Sequence, residues 1–294
     1  MAGTSRPRTA ASSSPGAGLC LSAMILFPQT LAAAEPSGAA FAQECPRKNL
    51  LDAAEERRPG VRERILRDAA LKPNSRGIFY RIETEGVPAS HIFGTIHVAD
   101  DRLQNLPPEG DAAISGAKVV ALERADISEE VVRSVMPLAA RLMMMPRDRA
   151  LDTDLTEDEM AVVTRAITRA GLAPELARAL KPWAATLFLA GSDCEKRRFE
   201  AGLKPIDMTV LEVARNRGIP ITGLEKLLEQ YEALALVPDD VQVAWLKSSV
   251  ALYDRIDDMS ETTVVLYRER NIQAIWELTV ELTHGVGMTA ETAG

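Results

Sequence analysis

Ile78-Phe79-Tyr80-Arg81-Ile82, the turn residues Glu85-Gly86-Val87-Pro88, and Ser90-His91-Ile92-Phe93-Gly94-Thr95-Ile96-His97 form the stretch on which the fold reading turns. Two runs rich in β-branched and aromatic residues, separated by a Gly/Pro turn, predict an antiparallel hairpin whose second strand ends on His97. Gly94, inside that strand, leaves backbone space for close approach by a ligand or a neighbouring chain.

Downstream, Gly110 to Ala117 reads as a short helix and Lys118-Val119-Val120-Ala121-Leu122 as a buried strand. Ser128 caps the next helix, with Glu129 and Glu130 in its first turn, where the helix dipole favours negative charge. Between Thr156 and Leu189, Thr156 and Glu159 form a capping box, Gly171 ends one helix, Pro174 can begin another, and Lys181-Pro182-Trp183 restarts the chain. Pro205 to Arg217 is an amphipathic helix stopped by Gly218. Ile219 to Gly223 is a short strand, Lys226 to Ala235 a helix, and Thr262 to Leu282 the last long helix. Strands alternating with helices imply an α/β fold: a central mixed, largely parallel sheet with an antiparallel hairpin near its amino end, flanked by helices.

In such sheets, sites gather beyond the carboxyl ends of strands. His97 ends the hairpin, Glu123 follows the strand Val119 to Leu122, and Glu225 follows the strand from Ile219. Each also has a structural reading: a hydrogen-bonded turn histidine, and two helix-start acids stabilised by backbone amides.

The amino terminus carries Arg6 and Arg8, no acid before Glu35, and an apolar run through Leu19 to Phe27. That pattern reads as a secretory signal, cleaved after Ala34 or after Ala42. The apolar run is interrupted by Gly18, Ser22 and Pro28 and falls short of the roughly 20 residues of a membrane span, so no stable span remains after signal removal. Residues 43–294 then form one domain, periplasmic or secreted. A net charge of −8 argues against a nucleic-acid partner. The mature chain keeps Cys45 and Cys194, either paired in an oxidising compartment or left as two thiols.

Few histidines are available. His91, six residues before His97 on one strand, stands about 20 Å away and cannot share a metal with it; His284 lies in the tail. No HExxH helix, CxxC pair, phosphate loop or GxSxG elbow occurs.

Taken in order, Ser90 to Asp100, Leu106-Pro107, Val120-Ala121-Leu122-Glu123, Leu180-Lys181-Pro182-Trp183, Ile206-Asp207, Gly223-Leu224-Glu225 and Glu269-Arg270-Asn271 resemble the TraB/GumN family, which is related to the TIKI proteases. The likeness runs through nearly all of the mature chain. Exported members of that family place a cysteine pair where Cys45 and Cys194 fall. The resemblance implies a divalent-metal site (manganese, cobalt or zinc) with His97 and Glu123 as ligands. It also implies Glu123 or Glu225 as general base, Arg270 stabilising a developing oxyanion, and Gly94, Asp100, Asp207 and Asn271 in support.

The family pattern continues into an apolar strand and a second GxxH, whereas this chain reads Thr283-His284-Gly285-Val286-Gly287 and ends at Gly294. The expectation is a domain truncated at its carboxyl end and short of one histidine ligand, so that a complete metal site would need Asp207, Glu225 or His284 as a substitute. Two functions stay open. One is an extracytoplasmic metal-dependent hydrolase acting on a peptide or another acyl bond. The other is a noncatalytic exported protein that binds a peptide or small molecule. The sequence sets no oligomeric state.

Overall fold

The computed structural model describes residue 45, residues 48–125 and residues 128–284. The expected signal with its two cleavage points, and the residues after 284, lie outside the described residues.

The hairpin forms as expected. Strand β1 (Phe79–Thr84) pairs antiparallel with β2 (Val87–Phe93), setting Phe79 opposite Phe93 and Arg81 opposite His91. Gly86 turns the chain at φ 73°, a conformation that glycine adopts without a Cβ clash. The second strand is shorter than the sequence suggests: pairing stops at Phe93, and residues 94–100 run outside regular structure. Gly94 shows why. Its N–H donates to Ile78 O at 2.7 Å, closing the hairpin, while its carbonyl accepts from the Tyr267 hydroxyl at 2.7 Å. A helix side chain takes the place of a further strand partner.

The second sheet consists of β3 (Val120–Leu122) and β4 (Ile221–Gly223), parallel and in register from Val120↔Ile221 to Leu122↔Gly223. A central, largely parallel sheet is therefore reduced, among the described residues, to one short parallel pair beside a separate hairpin. The run Lys118–Leu122 is not buried either: Val119 is 52% exposed. Much of the apolar burial among the described residues comes instead from helix against helix.

Helices α1 (Leu50–Arg57) and α2 (Val61–Ala70) precede the hairpin. Helix α3 (Pro108–Ser115) precedes β3, and between the two parallel strands come α4 (Glu129–Met143), α5 (Glu157–Arg169), α6 (Leu176–Ala179), α7 (Pro182–Ala190), α8 (Asp193–Glu200) and α9 (Ile206–Asn216). After β4 follow α10 (Leu227–Ala235), α11 (Asp239–Leu252), α12 (Ile256–Arg268) and α13 (Ile272–Leu282). The expected caps hold: Ser128 accepts from Val131 N at 3.3 Å, and Thr156 and Glu159 close a reciprocal capping box. Gly171 and Gly218 end their helices at positive φ. The expected single helix from Thr262 to Leu282 is broken at Arg270, which takes φ 61°; its carbonyl accepts from Gly77 N at 2.9 Å, so the break docks on the chain entering β1.

Three apolar clusters result among the described residues. Trp183, Leu187 and Leu246 centre one among α5, α7 and α11. Leu50, Ile65, Ile275 and Leu278 centre another among α1, α2 and α13. The third, made of Ile78, Val98, Leu103, Val264 and Tyr267, lies beneath the segment that carries His97. Cys45 and Cys194 form a disulfide, Cα to Cα 5.8 Å, tying the start of the described chain to α8. No helix among the described residues is long and apolar enough to cross a membrane.

Candidate functional site

The site is assembled from three chain segments. His97 lies in the irregular segment after β2, Glu123 directly follows β3, and Asp207 sits in the first turn of α9 behind Pro205. The parallel ladder continues past β3 and β4, with Leu224 N donating to Leu122 O and Glu225 N to Glu123 O, each at 2.9 Å. Gly223 permits that approach: a Cβ there would stand 3.0 Å from Ala125 N.

His97 stands between two carboxylates. Its Nε2 lies 3.3 Å from Glu123 Oε2 and its Nδ1 lies 3.3 Å from Asp207 Oδ2. The two sides differ in wetness, since the Asp207 side chain is 23% exposed and that of Glu123 61%. The Asp207 contact is an ion-pair distance without hydrogen-bond alignment: His97 Nδ1 and Asp207 Oδ1 are both buried and lack a hydrogen-bond partner. Asp207 lifts the imidazole above its ordinary proton affinity, Glu123 adds to the effect, and burial opposes it.

Residues 94–100 are held from several sides. Tyr267, itself buried, holds the Gly94 carbonyl. Glu195 of α8 accepts from Ala99 N at 2.7 Å, and burial pushes its carboxyl up to about 7. Asp100 is fully buried; it caps the following turn through Arg102 N at 2.9 Å and pairs with Arg102, which in turn pairs with Glu261 of α12. Arg198 lies 3.5 Å from the same carboxylate.

His97, Glu123 and Asp207 therefore come together, and Glu225, exposed, adjoins Glu123 through the backbone. Asp100 belongs to the buried ion network beneath them. Arg270 pairs with Glu109, and Asn271 donates to Glu269 at 3.3 Å, partners outside this cluster. Gly94 is not required for space, because a Cβ would meet only Ile78 O at 3.7 Å, an ordinary contact. His91 stacks on Phe79 at 5.3 Å on the hairpin, and His284 is exposed after α13. Sequence reasoning missed Tyr267 and Glu195; the one available signal was Tyr267 lying just before Glu269-Arg270-Asn271.

No group of three His, Cys, Asp or Glu side chains is placed to hold a metal ion among the described residues. Two donors of the right chemistry do face each other, His97 Nε2 and Glu123 Oε2, and a carboxylate backs the opposite ring nitrogen. A metal-bound histidine commonly has that arrangement at its second nitrogen.

Fold and site thus define a helix-rich α/β protein in which two segments following strands and the start of a helix bring an imidazole between two carboxylates. The chain belongs to the TraB/PrgY/gumN family, whose model it matches over residues 78–293. Neither a curated protein nor a solved structure matches it.

Proposed function

We propose that the protein is an extracytoplasmic metal-dependent hydrolase acting on a peptide or another acyl bond. The observation that carries this reading is the His97 imidazole set 3.3 Å from Glu123 on one side and 3.3 Å from Asp207 on the other. His97 and Glu123 would hold a manganese, cobalt or zinc ion, which when bound supplies an acidified water and a polarised carbonyl. Asp207, 3.3 Å from Nδ1, would favour a proton on that nitrogen once the two groups align, leaving the Nε2 lone pair for the ion. Glu225, exposed and joined to Glu123 through the backbone, would take a proton as general base. Arg270 would reach a developing oxyanion only after leaving Glu109. The Cys45–Cys194 disulfide supports an oxidising compartment.

A second reading has its own support: a catalytic zinc site usually has three protein ligands, and the described residues bring two donors together. In that reading the protein is a noncatalytic binder of peptides or small molecules. Calorimetric titration with manganese, cobalt and zinc separates the two. The hydrolase reading requires binding by the parent that disappears in His97→Ala; identical isotherms for parent and variant refute it. Peptide binding that survives both chelator and His97→Ala supports the binder.

A further inference from the structure

At the carboxyl end of α1 the chain faces the residue just before α12 across a surface cavity of about 280 Å³ bordered by Ala54, Arg57, Arg58, Arg255, Glu281 and Leu282. The protein carries a net charge of −8, yet this cavity sets three guanidiniums against one carboxylate. That carboxylate is already occupied, because one Glu281 oxygen faces Arg58 and the other faces Arg64. Arg62 nearby is paired with Asp52.

Arg57 and Arg255 are different. No carboxylate lies within ion-pair distance of either among the described residues. Burial and the facing Arg57 push the Arg255 guanidinium below its ordinary proton affinity; Asp258 only partly offsets this. The Asp258 carboxylate also accepts from Lys48 N at 3.3 Å. Two like charges thus share one concavity while every neighbouring arginine has its acid. Such an arrangement costs electrostatic free energy that a bound anion would recover.

We infer that Arg57 and Arg255 form a binding site for a phosphate-type oxyanion, apart from the His97 cluster. Guanidinium forks match tetrahedral oxyanions by presenting paired N–H donors to several oxygens. The cavity also has room beside its cationic rim for an organic substituent against Ala54 and Leu282. The shared chemistry is a phosphomonoester, carried either by a soluble molecule or by a lipid headgroup.

The test is calorimetric titration of the purified protein with inorganic phosphate and with glycerol phosphate, ionic strength held constant with chloride. Removing one charge-assisted contact weakens binding by about tenfold or more, so the double variant Arg57→Gln/Arg255→Gln should bind correspondingly less. Arg62→Gln, which alters a paired arginine, should bind like the parent. Arg57→Gln alone, at an exposed helix end, keeps the result readable if the double variant loses its cooperative unfolding. Cosedimentation with phosphatidic acid vesicles, against phosphatidylcholine vesicles, assigns the source. Retention that depends on Arg57 and Arg255 means a headgroup; titration without retention means a soluble phosphoester. Absence of both, or binding undiminished in the variants, overturns the inference.

Discussion

Replacing Glu195 by Gln should make the protein more stable at pH 8 and change the pH profile of its stability. Glu195 accepts from Ala99 N at 2.7 Å, two residues beyond His97, and burial raises its carboxyl from 4.5 to about 7. Arg198 opposes that rise, while Asp100 and Asp257 add to it. A tenfold change in proton affinity corresponds to about 1.4 kcal/mol, so a carboxyl moved this far withholds about 3 kcal/mol from the folded state once ionised. Part of the Glu195 surface meets solvent, and screening brings the expectation to about 2 kcal/mol. The sign follows from proton counting: between 4.5 and about 7 the folded state binds more protons than the unfolded one, so stability falls as pH rises through that window. His97 pulls the same way, because its raised proton affinity contributes stability below its unfolded value that is lost as pH rises through its folded value. The difference between parent and variant isolates Glu195. Gln keeps an oxygen to receive the Ala99 N–H, so its profile should lack the Glu195 component. Urea unfolding at pH 5, 6, 7 and 8 measures it; parallel parent and variant profiles would refute the reasoning.

Asp207→Asn should lower the proton affinity of His97, since Asp207 is the largest influence raising it; an imidazole titration followed by NMR that matches the parent would contradict the contact. Gly223→Ala should displace the chain after Glu123, because the new Cβ would meet Ala125 N at 3.0 Å. A cost of about 1–3 kcal/mol in thermal unfolding is expected, together with weaker metal binding. Cys45→Ala with Cys194→Ala opens a closure spanning 149 residues. The chain-entropy relation gives a loss of about 5 kcal/mol, read as a drop in the urea midpoint; an unchanged midpoint would show that the pair does not constrain the unfolded chain.

Local chemistry was legible wherever one residue type decides the backbone. Gly86 at the hairpin turn, Gly171 and Gly218 at helix ends, and Thr156 with Glu159 at a helix start all stand as the sequence suggests. Burial was less legible. Val119 to Leu122 has the composition of a covered strand, but covering depends on neighbours that composition does not encode, and Val119 ends up 52% exposed. The break at Arg270 was hidden for a related reason: arginine seldom takes positive φ, and here the carbonyl contact with Gly77 favours it. In the site, His97 and Glu123 announced themselves as polar residues closing apolar runs. Asp207 could be singled out only through the spaced family pattern, since its approach to His97 spans most of α3 through α8.

That approach shows what places the imidazole. If β2 continued to His97, ladder hydrogen bonds would fix it; instead pairing ends at Phe93 and the next residues depend on distant side chains. Tyr267 holds Gly94 across 173 positions and Glu195 holds Ala99 across 96. Asp100 is locked to Arg102, itself held by Glu261 of α12. Two of these anchors come from α12, and the third sits beside the disulfide on α8. Loosening α8 or α12 therefore shifts His97 relative to Glu123 and Asp207 even where no site residue changes. Since a displacement of about 1 Å costs a positioned catalytic group much of its effect, the integrity of α8 and α12 would bear on the proposed hydrolysis as much as on the stability of the fold.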